Sequence, residues 1–192
     1  MTGGGLPPAL RGGLHGLEGR RVLHLGCGTG EATAELAALG ALVTGVDADE
    51  EALEIARRRE PDLPWLHGDA ERLPAELQRS RTDLVLASPR SLAGASDLDA
   101  WAAGLALPLR PGGELILHAD HPVLALLDEV LRWRGDYFAA GAAPRVGEVV
   151  TAIAGAGLLV RRLEELPEHP PLRPQASRAP GQLLLVAAKP GS

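Results

Sequence analysis

The chain has 192 residues, of which 45% are hydrophobic and 23% charged, which is typical of one folded domain. Acidic residues outnumber basic ones by 25 to 19, and the net charge of −6 argues against a surface that binds nucleic acid. There is no apolar run of the roughly 18 residues that a membrane span needs, and the single cysteine, Cys27, excludes an internal disulfide, so we expect a cytoplasmic protein without a membrane or nucleic-acid partner.

The chain begins with MTGGGLPPALRGG, a stretch rich in glycine and proline that is typical of a frayed terminus. It lacks the basic region followed by an apolar stretch that marks a secretory signal. We expect residues 1–20 to be a flexible N-terminal segment and residues 21–192 to form a single domain. The second stretch of this composition, PEHPPLRPQASRAPG from Pro167 to Gly181, is predicted to be an extended surface connection.

From residue 21 onward, short apolar runs alternate with stretches of helical periodicity. The predicted strands are RVLHL, LVTGVD, PWLHGD, DLVLAS, GELILH, LLVRRL and QLLLVAAK. The predicted helices are EATAELAAL, DEEALEIARR, residues 74–79, residues 98–107, GEVVTAIAGAG, and one from Pro122 with Val123, Leu127, Val130 and Leu131 on one face. This alternation predicts parallel β-α-β units in a doubly wound sheet with helices on both faces. Ligands of such sheets bind at the carboxyl ends of the strands.

The sequence VLHLGCGTGEATAEL places Gly26, Gly28 and Gly30 between the first predicted strand and the first predicted helix. Glycine lets a ligand approach the main chain, and the N–H groups at the start of the helix attract an anionic group such as a carboxylate. Asp47 ends the second predicted strand, where its carboxylate can accept hydrogen bonds from both hydroxyls of a ribose. Together these features indicate a nucleoside cofactor.

Two cofactors are compatible with this arrangement. A dinucleotide site normally has the sequence GxGxxG, and this chain has Glu31 where the third glycine would stand, which puts a negative charge beside the pyrophosphate. S-adenosylmethionine has no phosphate and carries a sulfonium and an ammonium, so acidic surroundings suit it. We favour S-adenosylmethionine, and an NAD-dependent oxidoreductase stays as an alternative.

From Val22 to Lys189 the chain resembles the class I S-adenosylmethionine-dependent methyltransferases. VLHLGCGTG resembles the first motif of the family, VTGVDAD its second strand with a ribose-binding acid, and WLHGDAERLP its third-strand segment. The resemblance implies a Rossmann-like sheet of seven strands in the order 3-2-1-4-5-7-6, with strand 7 antiparallel. The segments ADHPVLALLDE and DYF resemble a branch whose members act on small molecules.

The resemblance also implies how the cofactor is held. Asp47 would bind the ribose, and Asp69 would bind the adenine amino group with Ala70 beside it. His24 stands where the family usually has an acid, which concerns how the methionine end is held. The expected cofactor-binding residues are His24, Gly26, Cys27, Gly28, Gly30, Asp47, Ala48, Asp69, Ala70 and Ser88.

The acceptor side is predicted from the segment that follows the fifth strand. Methyl transfer is an in-line displacement that depends mainly on alignment, and a hydroxyl acceptor would benefit from a histidine base. His118 and His121, with Asp120 between them, and then Tyr137 are the candidates. The alternatives are that His121, before a proline, caps a helix, that His118 is a packed or surface histidine, and that Asp120 is a helix-start acid.

Other residue patterns point to no separate chemistry. The His-x-x-His segment has no partner cysteines or tightly spaced acids, so we expect no metal. Cys27 suits the glycine turn as a small side chain and would need a partner base to act as a nucleophile. Ser88 and Arg90 follow the fourth strand and could contact cofactor or acceptor.

The first hypothesis for function is therefore an S-adenosylmethionine-dependent methyltransferase with a small-molecule acceptor. About twenty residues precede the first motif, VLHLGCGTG, so we expect an acceptor site that is open or is completed by a partner. That short segment and His24 motivate a second hypothesis, a protein that binds S-adenosylmethionine without transferring its methyl group. The sequence does not identify the acceptor or the oligomeric state.

Overall fold

A computed structural model describes residues 5–11, 14–79, 81–128, 132–139, 143–167 and 179–191. Its strands are β1 (Arg21–Leu25), β2 (Leu42–Asp47), β3 (Trp65–His67), β4 (Thr82–Ala87), β5 (Leu109–Asp120), β6 (Leu159–Pro167) and β7 (Pro180–Ala188). Its α-helices are α1 (Pro8–Arg11), α2 (Glu31–Ala38), α3 (Glu50–Arg59), α4 (Ala75–Gln78), α5 (Pro89–Ala93), α6 (Leu98–Ala106) and α7 (Val146–Gly155). None of the helices in these ranges has the length and apolar character required to cross a membrane.

The strands form one seven-stranded sheet in the order β3-β2-β1-β4-β5-β7-β6. β1 pairs in parallel with β2 and β4, and β7 runs antiparallel to both β5 and β6. The strand order and the direction of β7 confirm the fold expected from the sequence. Leu25 of β1 lies opposite Val46 of β2 and Ala87 of β4, so the carboxyl ends of these three strands coincide. The chain adds β2 and β3 on one side of β1 and then crosses to add β4 and β5 on the other side. Ligands bind at such a switch point in the strand order.

The sheet is apolar on both faces because helices cover both. On β4, Val85 and Ala87 belong to one buried cluster, which includes residues of α5, α6 and α7. Leu84 and Leu86 alternate with them and belong to a second cluster, which includes residues of the N-terminal segment and α2. Burial on both sides explains why the strands are near-continuous apolar runs rather than alternating ones.

Helix α3 shows how local sequence positions a residue at the carboxyl edge of the sheet. The Asp49 side chain caps the helix by accepting a hydrogen bond from the Ala52 N–H, and acidic residues occupy the first turn. Three arginines, Arg57 to Arg59, occupy the last turn, where cations complement the helix dipole. Asp49 is thereby fixed two residues after the end of β2.

Within the expected flexible segment of residues 1–20, the structure describes residues 5–11 and 14–20, and four leucines of these ranges are buried. Leu6, Leu10, Leu14 and Leu17 are each less than 10% exposed and pack with α2 and the sheet. Their spacing of three or four residues is that of an amphipathic helix, but only Leu10 lies in a helix, the short α1. The glycine- and proline-rich composition around them obscured that pattern.

The helix predicted from Pro122 is wrong in type and length. Pro122–Leu126 is a 3-10 helix, and Leu127 is extended and bridges to Trp133. The chain turns back here because the Leu126 carbonyl accepts the N–H of Arg134 at 2.7 Å, a partner that helical continuation would exclude. The predicted positions Val130 and Leu131 lie outside the described residues, as does 168–178 of the predicted connection.

Candidate functional site

A cleft of about 480 Å³ opens at the carboxyl ends of β1, β2 and β3, a volume within the range of cofactor sites. More acidic than basic side chains line it. The residues along its wall are Leu25 and Gly26 at the end of β1, Asp47 to Asp49 at the end of β2, Gly68 to Arg72 after β3, Arg90, Ser91, Ala93 to Ala95, and Trp101 of α6.

The glycine turn after β1 is held against its neighbours by close contacts. The N–H groups of Gly26 and Cys27 donate to the Val46 carbonyl at 2.8 and 3.1 Å. Gly26 has a φ of +74°, and a Cβ there would lie 2.4 Å from the Ser88 hydroxyl oxygen. A Cβ on Gly30 would lie 2.6 Å from the Trp65 ring. Side chains larger than hydrogen at these two positions would displace the turn.

Asp47 connects the turn to the cleft and is only 4% exposed. Its Oδ2 accepts the Gly28 N–H at 2.7 Å, and its Oδ1 accepts the Asp49 N–H at 2.9 Å. The Arg90 guanidinium also donates to both oxygens, from Nε to Oδ2 at 3.2 Å and from Nη2 to Oδ1 at 3.3 Å. A buried carboxylate that is satisfied in this way stays fixed at the mouth of the glycine turn.

The segment after β3 forms the opposite wall. Asp69 accepts the Arg72 N–H at 2.7 Å. Glu71 accepts the N–H of Asp97 at 3.0 Å, and hydrogen bonds from Ser96 are the main cause that lowers the Glu71 pKa. These contacts attach the segment to the start of α6 and set the position of Ala70 between them.

Five of the expected cofactor residues are not among those that line the cleft wall. They are His24, Cys27, Gly28, Gly30 and Ser88. The Ser88 hydroxyl donates to the Gly26 carbonyl and braces the turn. Cys27 is buried with Leu53, Ala56 and Trp65, and burial raises the pKa of its thiol, which therefore stays protonated.

His24 is 3% exposed, and its Nδ1 lies 2.7 Å from the Thr33 hydroxyl on α2. Burial lowers its pKa from 6.5 to about 4, against the opposing effect of Asp47, so the ring is neutral at pH 7. It joins β1 to α2 beneath the turn. This contact explains how a histidine is accommodated at a buried position in the strand.

Acid is expected to destabilise the protein through His24. Between pH 6.5 and about 4 the unfolded chain binds a proton that the folded protein excludes. The contribution to the free energy of unfolding is complete above pH 6.5, and about 3 kcal/mol of it is lost as the pH falls to about 4. The test is urea unfolding of the wild type and of His24→Asn, which retains a hydrogen-bonding group but does not titrate. The two proteins are compared by the slope of the free energy of unfolding against pH.

The difference between the two proteins isolates His24, since every other titrating group is common to both. His15, which is exposed, provides the control His15→Asn, which makes the same substitution away from the buried site. An acid dependence of His24→Asn identical to that of the wild type would contradict the assignment.

The candidate bases do not converge on the cleft. Among the residues that the structure describes along its wall, none of His118, His121 and Tyr137 appears. His118 is buried on β5, and burial lowers its pKa although the Gln182 side chain hydrogen-bonds it. Tyr137 packs edge-to-face on Phe138, with ring centroids 5.3 Å apart.

His121 caps a helix, which was the structural alternative to its role as a base. Its Nδ1 accepts the Val123 N–H at 3.2 Å and caps the 3-10 helix, and its Nε2 lies 2.8 Å from a Glu165 oxygen. Both ring nitrogens are therefore engaged. In the described ranges, no group of three or more His, Cys, Asp or Glu is arranged to hold a metal ion.

The cleft wall also includes Asp49, Glu71 and Trp101, which were not predicted from the sequence. Trp101 is 1% exposed, and its indole N–H donates to the Ser91 hydroxyl at 3.0 Å, which fixes the α6 side of the cavity. The acids follow predicted strands, a position that could have marked them. Trp101 carries no such signal because it lies on a helix.

Comparison with known proteins agrees with this geometry. Residues 22–113 match a family model described as a methyltransferase domain. A ubiquinone biosynthesis O-methyltransferase of Aromatoleum aromaticum is 36% identical over 104 residues, 52% of this chain and 44% of that protein. A cypemycin N-terminal methyltransferase of a Streptomyces species is 35% identical over 111 residues, 55% of this chain and 44% of that protein. The chain thus spans less than half the length of these two relatives.

A solved structure matches almost the whole chain. The S-adenosylmethionine-dependent methyltransferase of Mesorhizobium loti is 26% identical and superimposes with a TM-score of 0.77, over 94% of this chain and 96% of that one. The sheet order, the cleft beside the glycine turn and these matches show the methyltransferase domain and the fold of the class I S-adenosylmethionine-dependent methyltransferases, and the cofactor that they imply is S-adenosylmethionine.

Proposed function

We propose that this chain transfers the methyl group of S-adenosylmethionine to a small-molecule acceptor. The observation that carries the proposal is the buried Asp47 carboxylate, which faces the cleft and holds the glycine turn through Gly28. Asp47 would accept hydrogen bonds from the ribose hydroxyls. Asp69, with Ala70 beside it, would receive the adenine amino group, and the main chain at Gly26 and Gly28 would face the methionine part.

The charges around the cleft support a cationic cofactor. Asp47, Asp49, Asp69 and Glu71 outnumber the two arginines of the wall, which favours a ligand with a sulfonium and an ammonium. At the start of α2, where a pyrophosphate would lie, stands the Glu31 carboxylate, bound by Arg59 at 2.5 Å and by the Thr29 hydroxyl at 2.6 Å. This acid argues against the NAD-dependent alternative.

The mechanism that fits these residues is alignment. The sulfonium of the bound cofactor supplies a methyl carbon that is already activated for displacement. The chain holds the adenosine part between the segments after β2 and β3, and Trp101 closes the α6 side. Since the described wall has no histidine, an acceptor that is nucleophilic without a protein base fits best.

The relatives support methyl transfer in general and disagree about the acceptor. One is named for O-methylation in ubiquinone biosynthesis and the other for N-terminal methylation of cypemycin. We therefore propose only that the acceptor is a small molecule.

A transfer assay with S-adenosylmethionine labelled in its methyl group tests the proposal. We expect label to appear in at least one member of a panel of phenol, amine, thiol and carboxylate acceptors. S-adenosylhomocysteine binding by calorimetry is measured in parallel. Tight binding without turnover across the panel would favour a protein that binds the cofactor without transferring the methyl group. Lack of any binding at about millimolar concentration would contradict both functions.

A further inference from the structure

The side chain of Arg90 lies across the cleft from α5 to β2. Its Cδ and Nε lie 3.5 and 3.6 Å from the point that a Cβ on Gly28 would occupy, so its stem covers the glycine turn. Its guanidinium reaches Asp47 and also donates from Nη2 to Asp49 Oδ2 at 3.1 Å. Arg90 thus covers the surface that the cofactor would contact.

The contact between Arg90 and Asp47 has the form that a ribose would need. Nε donates to one carboxylate oxygen and Nη2 to the other, and a ribose would likewise bring two neighbouring hydroxyl donors to the two oxygens. Each oxygen also accepts one backbone N–H, from Gly28 or from Asp49. Because a carboxylate oxygen has two lone-pair sites, these four donors fill the positions that the Asp47 carboxylate offers.

Arg90 can leave this position at low cost. Its side chain is 52% exposed whereas that of Asp47 is 4% exposed, so the guanidinium can move into solvent while the carboxylate stays. Asp49, whose side chain is 47% exposed, remains as a partner for the released guanidinium. The exchange requires rotation of one surface side chain and leaves the backbone in place.

We infer that Arg90 competes with the cofactor's ribose for Asp47, and so acts as a latch that the cofactor displaces when it binds. The inference rests on the proposed function, because it takes the ribose to bind at Asp47. Arg90 is then a positioning residue that sets the affinity for the cofactor. While the cofactor is absent, the guanidinium supplies hydrogen bonds to the buried Asp47 carboxylate.

Calorimetric titration with S-adenosylhomocysteine tests the latch. Arg90→Met keeps an unbranched stem and removes the competing donors, so we expect its dissociation constant to fall by about three- to tenfold. Arg90→Lys keeps the charge without the fork and should lie between Arg90→Met and the wild type. The matched control is Arg57→Met, which removes an arginine paired with Glu50 on α3 at 2.6 Å and should change the affinity by less than about twofold.

The outcomes separate the latch from the function it rests on. An Arg90→Met affinity equal to or weaker than that of the wild type, with the wild type binding normally, overturns the latch alone. Weaker binding would mean that Arg90 holds the cofactor directly. If Arg57→Met also bound S-adenosylhomocysteine more tightly, by the same factor, the effect would be one of net charge, and the latch would be overturned. Lack of binding in every protein, folded by circular dichroism, would contradict the cofactor site itself and the latch with it.

Discussion

Asp47→Asn is expected to weaken S-adenosylhomocysteine binding by about 100-fold, because one hydrogen bond from the ribose is lost and the other no longer has a charged acceptor. The amide keeps one acceptor oxygen and turns an NH₂ group toward the N–H of Gly28 or of Asp49, which donate to the carboxylate at 2.7 and 2.9 Å. The glycine turn therefore loses its fixed position at the same time as the ribose loses its partner. Isothermal titration of the two proteins measures the loss.

The matched control for Asp47 is Asp83→Asn. Asp83 lies near the start of β4, at the opposite edge of the sheet, and also accepts a backbone N–H and an arginine, from Arg21 at 2.9 Å and Arg110 at 2.5 Å. Both variants are expected to lose about 1–3 kcal/mol of stability, but only Asp47→Asn should lose binding. Equal affinities in Asp47→Asn and the wild type would contradict the role of this carboxylate.

Gly104→Ala is expected to destabilise the protein by about 3 kcal/mol, although alanine is the better helix former by about 1 kcal/mol. A Cβ at this position of α6 would lie 1.7 Å from the Ala70 carbonyl oxygen. Since that obstacle is backbone, α6 or the segment after β3 must move. Ala70 lines the cleft, so affinity for S-adenosylhomocysteine should fall together with the urea midpoint.

Gly155→Ala is the control for this substitution. Gly155 is the last residue of α7, and a Cβ there would meet nothing within 4 Å. Its stability should therefore stay the same or rise by up to about 1 kcal/mol. A Gly104→Ala protein as stable as Gly155→Ala would show that α6 does not pack on the backbone at Ala70.

The sequence was sufficient to predict the sheet and the position of the cleft. Strands buried on both faces, such as β1 and β4, are near-continuous apolar runs, and such runs can be recognised between the helical stretches. Asp47 could be placed because it ends a predicted parallel strand, and the carboxyl ends of neighbouring parallel strands meet at one edge. The strands and Asp47 depend on local pattern and on the rules of parallel sheets, whereas the strand order, the direction of β7 and the role of Asp69 were predicted from the family resemblance.

Contacts between distant segments could not be predicted in this way. The Arg134 N–H that ends the 3-10 helix at Leu126 is invisible to helical periodicity. Arg90 and Asp47 are 43 residues apart, and only the packing of α5 beside the glycine turn brings them together. The approach of Gly104 to the backbone at Ala70 was not predicted either, although a glycine inside a helix is unfavourable unless another backbone approaches it.

A crystal structure with S-adenosylhomocysteine bound tests the central claim most directly. We expect both ribose hydroxyls within about 2.6–3.2 Å of the Asp47 carboxylate oxygens, with the Arg90 guanidinium displaced from them. A cofactor bound elsewhere, or a ribose that makes no contact with Asp47 while Arg90 still holds both oxygens, would contradict it.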